Sequence, residues 1–203
     1  MSEHFTKIGS QVYSPEGVRS LFEQAIQAEN GDIEAILSNK HKYKNLRELW
    51  FASFLAFAIH KWLKHKFYIQ NSEQDPPDIL FLDQEASEAF PVEIMELFVY
   101  GQIDFDDDYT KLSQKIWDTK GDMNLSQCHL LLINRRVSIQ LNVSQFLREM
   151  RKYNWKFEKI WLAVCTRKSL SWTFFEIFPF SSNDQPAYIS VSTLNQEDMK
   201  FWY

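Results

Sequence analysis

The sequence predicts an α/β protein, a mixed β-sheet with helices on both faces, preceded by a small helical extension over residues 1–44. Three observations carry that reading. Helical and strand-like segments follow one another as helix, three strands, helix, strand, helix, strand, strand, the pattern of a sheet covered by helices. The segment Asn45 to Lys66 is the strongest helix in the chain, dense in Leu, Ala, Trp and Phe. Two short apolar runs, 78–82 and 90–99, each hold a carboxylate, and runs of that length between polar or turn residues are buried strands.

Length and composition set the bounds. A chain of 203 residues with 45% hydrophobic content buries a sizeable core in one main domain, expected here over residues 45–203. Cys128 and Cys165 have no CxxC spacing and lie in apolar runs, so they read as buried free thiols of a cytoplasmic protein. The longest apolar stretch, Leu49 to Ile59, is too short to cross a bilayer, and the N-terminus lacks the pattern of a signal peptide. No membrane partner is expected. Charge is uneven. Residues 1–129 carry 12 Lys/Arg and 21 Asp/Glu, whereas residues 130–175 carry 9 and 2.

The elements follow in order. Ser14-Pro15-Glu16 starts a helix with serine as N-cap and proline at the first position, and Asn30-Gly31 stops it. Asp32 caps a second short helix to about Ser38. On the 45–66 helix, Glu48 heads an apolar stripe with Ala52, Leu55, Ile59 and Trp62. Trp50 and Phe57 fall on the opposite side, so both sides are covered. A strand near 66–70 precedes the two acid-bearing runs, with a turn at 83–87 between them. In the acidic run Asp104–Asp108, Asp107 or Asp108 is the N-cap of a helix from about Tyr109 to Thr119, and the extra negative charge suits that end; the run lacks, at the needed spacing, the glycine and glutamate of an EF-hand loop. A strand at 129–134, a helix at 143–153 and strands at 159–165 and 171–178 complete the order.

The chemistry concentrates at Pro77-Asp78 and, fourteen residues beyond Asp78, at Glu93-Ile94-Met95. A carboxylate inside a buried strand is costly unless it is paired or binds a metal. Two on adjacent strands converge, which is how hard oxygen ligands hold a divalent cation. Glu48 is open to two readings: compensation of the helix dipole in a first turn, or a third acid of the site. The histidines form no HxxxH or HxH cluster. There is no GxSxG, GxxxxGK[ST] or GxGxxG motif, which argues against serine hydrolysis, nucleotide hydrolysis and dinucleotide binding.

Together, Asp78, the spacer and Glu93 resemble the motif of the PD-(D/E)XK nuclease superfamily, whose fold is restriction-endonuclease-like. The element order from about Leu46 to Cys165 is similar to that superfamily's αβββαβ core. The departure is Met95, which stands where the family has lysine and shares the face of Glu93 by period two. The resemblance implies an Mg2+- or Mn2+-dependent endonuclease acting on phosphodiester bonds of DNA or RNA, in defence or mobile-element biology. It also implies that Asp78, Glu93, Glu48 and the Ile94 carbonyl ligate the metal. A lysine from elsewhere could replace the missing one, and Lys111 and Lys115 on the next helix are candidates; their plainer role is an exposed helical face. The alternative is an inactive nuclease fold that binds nucleic acid, a protein partner or a second copy of itself. Arg135, Arg136, Arg148, Arg151 and Lys152 in the basic segment would track a phosphate backbone. Arg167 and Lys168 near a strand end extend that segment.

Overall fold

In the computed structural model, residues 11–39, 41–74, 76–98, 108–123, 125–167, 171–180 and 186–192 are described. The chain divides into two compact units, one within Met1–Ile94 and the other within Met95–Asp198. Both are α/β: the strands of the first pair antiparallel, those of the second in both parallel and antiparallel fashion, with helices among them. The expected order helix, three strands, helix, strand, helix, strand, strand is present from Lys44 to Phe178.

The first unit holds strand β1 (Val12–Tyr13), helices α1 (Pro15–Ala28), α2 (Ile33–Ser38) and α3 (Lys44–Leu63), and strands β2 (Phe67–Asn71), β3 (Ile79–Asp83) and β4 (Glu88–Glu96), whose last two residues fall in the second unit. Both expected caps form: Ser14 Oγ accepts the Gly17 N–H and Asp32 Oδ1 accepts the Ala35 N–H. Helix α3 is apolar all round and is buried from Leu46 to His60 at every position except Glu48. It stops at Lys64, which takes a left-handed φ of 65°. The strand that follows is therefore shifted to Phe67–Asn71. Strands β1 to β4 form an antiparallel meander, with Ile79 opposite Asn71 on one side and Val92 on the other. The two acid-bearing runs are thus neighbouring strands.

Helix α1 packs on α3, with Phe22 stacked on Trp50 at 4.0 Å. Residues 15–38 therefore belong to the same unit as α3 and the acid-bearing strands, and do not stand apart as an extension. Their apolar face, Val18, Phe22 and Ala25, is buried there.

The second unit holds α4 (Tyr109–Lys120), β5 (His129–Asn134), α5 (Val143–Met150), β6 (Lys159–Arg167), β7 (Ser171–Phe178) and β8 (Ala187–Ser192). Strand β5 pairs parallel with β6 across the α5 connection; β6 with β7 and β7 with β8 pair antiparallel. All six residues of β5 are buried, as a parallel strand covered on both faces requires. Strand β8 was not expected, although Tyr188-Ile-Ser-Val-Ser192 alternates with period two. Among the described residues, no helix is long and apolar enough to cross a membrane.

Candidate functional site

The acids of the first unit are positioned by three elements. Helix α3 begins at Lys44, one residue earlier than the sequence suggests, so its first turn holds no acid and Glu48 lies beyond it. Dipole compensation in a first turn is therefore not its role. Asp78 immediately precedes β3 and Glu93 lies within β4, where it is 3% exposed.

Backbone and side-chain contacts tie these positions together. Asp78 Oδ2 accepts the Ile94 N–H at 2.9 Å, which fixes its carboxylate against the residue after Glu93. Lys44 Nζ stands 4.0 Å from Asp78 Oδ1 and 3.7 Å from Glu48 Oε1. Burial and the Asp78 carboxylate, with a smaller push from Glu93, hold the Glu48 carboxyl up to about 8, against the pull of Lys44 and Arg47. Without a cation, Glu48 keeps its proton at neutral pH. The three acids thus feel one another across α3, β3 and β4.

A cavity of about 80 Å3 opens at this place, lined by Lys44, Asn45, Glu48, Asn71, Gln74 and Asp78 among others. Asn71 ends β2 in the inward register of Phe67 and Ile69 and is 3% exposed. Its Nδ2 donates to the Asn45 carbonyl at 3.2 Å, while its Oδ1 is buried with no hydrogen-bond partner. Carboxylates and an amide oxygen are hard donors of the kind Mg2+ and Mn2+ take, so the residues suit such an ion by chemistry. Among the described residues, no group of three or more His, Cys, Asp or Glu side chains is arranged to hold a metal ion. Lys44 is a cation standing beside two of these acids, Glu48 and Asp78.

The remaining expected residues lie in the second unit. The Met95 side chain is partly buried and packs against the apolar core that includes Leu97, Leu130 and Ile160. The Lys111 ammonium is 3.0 Å from Asp108 Oδ2, and Lys111 and Lys115 share an open face of α4 with Gln114 and Asp118. Arg135 is held inside its unit, its side chain 9% exposed and its Nε 3.5 Å from Glu96 Oε2. That removes it from a phosphate-tracking surface. Arg148 is exposed on α5, Arg151 lies over the Phe180 ring at 5.5 Å, and Lys152 pairs with Glu149 at 2.5 Å. Arg136 is half-buried beside Asn134, whose Oδ1 accepts its backbone N–H. Asp104–Asp107 and Lys168 lie outside the described residues.

Sequence reasoning missed two residues of this site. Lys44 precedes Glu48 by four positions, the spacing of a helical ion pair, and an earlier helix start would have revealed it. Asn71 is a polar residue at an inward strand position, hidden because the strand was ended one residue too soon. In comparisons with protein-family models, with curated proteins and with solved structures, nothing matches this chain.

Proposed function

We propose that this protein is a metal-dependent nuclease of restriction-endonuclease-like fold, hydrolysing phosphodiester bonds of DNA or RNA. One observation carries the reading. Lys44 stands within ion-pair distance of both Glu48 and Asp78, and Asp78 is bonded to the Ile94 N–H beside Glu93. Acids from a helix and two adjoining strands are thereby gathered with a lysine, the residue type the motif lacks at Met95.

Asp78, Glu93 and Glu48 would hold Mg2+ or Mn2+, which supplies Lewis acidity and a bound water of lowered pKa. The chain's own groups do the rest. Asp78, fixed by the Ile94 N–H, keeps its orientation. Glu48, held up to about 8 in the absence of the ion, would release its proton as the ion binds. Lys44, half-exposed on a flexible stem, can turn its ammonium toward negative charge developing at phosphorus.

Plasmid nicking tests the proposal. Cleavage is expected only with Mg2+ or Mn2+, lost in Glu93→Ala and reduced at least tenfold in Lys44→Ala, a factor worth about 1.4 kcal/mol in the barrier. The packing of Met95 into an apolar core favours a second reading, an inactive nuclease fold that binds nucleic acid or a protein partner. Absence of cleavage of DNA and RNA with any divalent ion would select it.

A further inference from the structure

The cavity beside α3 holds a feature that neither the acids nor the motif accounts for. Asn71 is almost fully buried, yet only half of its amide is satisfied: Nδ2 is committed to the Asn45 carbonyl and Oδ1 has no donor. A buried acceptor left unsatisfied costs about 1–3 kcal/mol, a cost that a positive ligand at this oxygen would offset. The amide cannot exchange its two ends, because the Asn45 carbonyl would then face an oxygen. Asn71, Glu48 and Asp78 all line one cavity, and its volume of about 80 Å3 has room for an ion with part of its water shell.

What the cavity accepts follows from its walls. The acids Glu48, Glu73 and Asp78 and the Asn71 amide oxygen offer hard oxygen to a positive charge, and the Lys44 ammonium shares the same lining. Lys44 already answers the carboxylates, but from 3.7 and 4.0 Å, beyond hydrogen-bond length, and with a half-exposed side chain that is easily displaced. Resting on the reading of Glu48 and Asp78 as metal-binding acids, we propose that Asn71 supplies a neutral oxygen ligand to a hard divalent cation in this cavity, and that the cation enters by displacing the Lys44 ammonium. Asn71 is then a binding residue set by the inward register of β2, and Lys44 an internal competitor that holds the acids together until the ion arrives.

The test is cation binding by the intact protein, read without any nuclease assay. In wild type labelled with 15N, the side-chain amide signals of Asn71 should move on titration with Mg2+, with the Kd that calorimetry gives. Mn2+ should broaden them. Calorimetry on Asn71→Ala should show binding weakened about tenfold or more, as expected when a neutral ligand is lost, while Asp78→Ala should bind no cation. Lys44→Met, altered at a half-exposed side chain, should bind several-fold more tightly. If Asn71→Ala does not fold, the wild-type amide signals decide the matter alone. Unmoved Asn71 signals at saturating Mg2+, or wild-type affinity in Asn71→Ala, would overturn the inference and leave metal binding by the acids intact. No binding by wild type would overturn both. Binding that responds to Asn71, in a protein that cleaves neither DNA nor RNA, would support the inference and end the nuclease reading.

Discussion

At the scale of single residues, burial decides what a titratable group does, and His129 shows it away from the acids. It opens β5, is 7% exposed, and its Nδ1 accepts the Trp161 indole N–H at 3.4 Å. Burial, and beyond it the Lys159 ammonium, hold the imidazole down to about 4. The folded state therefore keeps the ring neutral, whereas the unfolded chain takes up a proton near pH 6.5. Stability from this group is complete above pH 6.5 and is lost as pH falls toward 4. We expect His129→Gln to lose that part of the decline, about 3 kcal/mol between pH 7 and pH 4. Urea unfolding of both proteins across that range measures it, and parallel profiles would refute it. The same logic with opposite sign acts on Glu48, whose carboxyl is held up first by burial and then by the Asp78 carboxylate, and Lys44 relieves only part of it.

Elements are held by contacts that propensity does not foresee. Gly121 closes α4 with a helical φ of −66°, where alanine should be the better residue by about 1 kcal/mol. A Cβ there would stand 2.4 Å from Cδ2 of the Trp117 ring. That indole cannot easily yield. It stacks on Tyr153 at 5.2 Å and meets Trp155 edge-on at 5.2 Å. Overpacking outweighs propensity, so Gly121→Ala is expected to destabilise by about 1–3 kcal/mol. A variant at least as stable as wild type would show that the aromatic group gives way. Helix α3 makes the complementary point. Its length and apolar circumference were plain from composition, but its first residue decided the meaning of Glu48. A start at Asn45 makes dipole compensation tenable; a start at Lys44 places Glu48 past the first turn and puts a lysine one turn before it.

Over the whole chain, charge is segregated: residues 1–129 are net −9 and residues 130–175 net +7. A phosphate backbone responds to such a segment through counterion release, which makes binding steeply salt-dependent. Arg135 is paired with Glu96 in that segment, while Arg148, Arg151 and Lys152 lie together in sequence at the end of α5. If these three contact phosphates, their joint replacement by alanine should shallow the slope of log affinity against log salt by about three units. Gel shifts at several salt concentrations measure this. Equal slopes for the two proteins would remove α5 from any nucleic-acid surface.

The sequence by itself determined the helices and strands from Pro15 to Phe178, though not β1 or β8, because caps, periodicity and apolar runs are local. Ser14, Asp32 and Asp108 each cap the helix expected of them, and the strands at 129–134 and 171–178 have the bounds their residues imply. It also determined that Glu48, Asp78 and Glu93 are the acids to watch, since carboxylates in apolar settings are expensive and stand out. Tertiary structure alone decided what surrounds them. Residues 15–38 join the acid-bearing unit because Phe22 finds Trp50 across a fold, a contact no local pattern specifies. Met95 packs against the core and Arg135 is an internal partner of Glu96 for the same reason: period two gives a side chain's face, not what covers it. Lys44 reaches Asp78 across 34 positions of sequence, and Asn71 lies on the same cavity only because β2 and α3 meet there. Distances between segments far apart in sequence are set by packing, and there the chemistry of the site was decided.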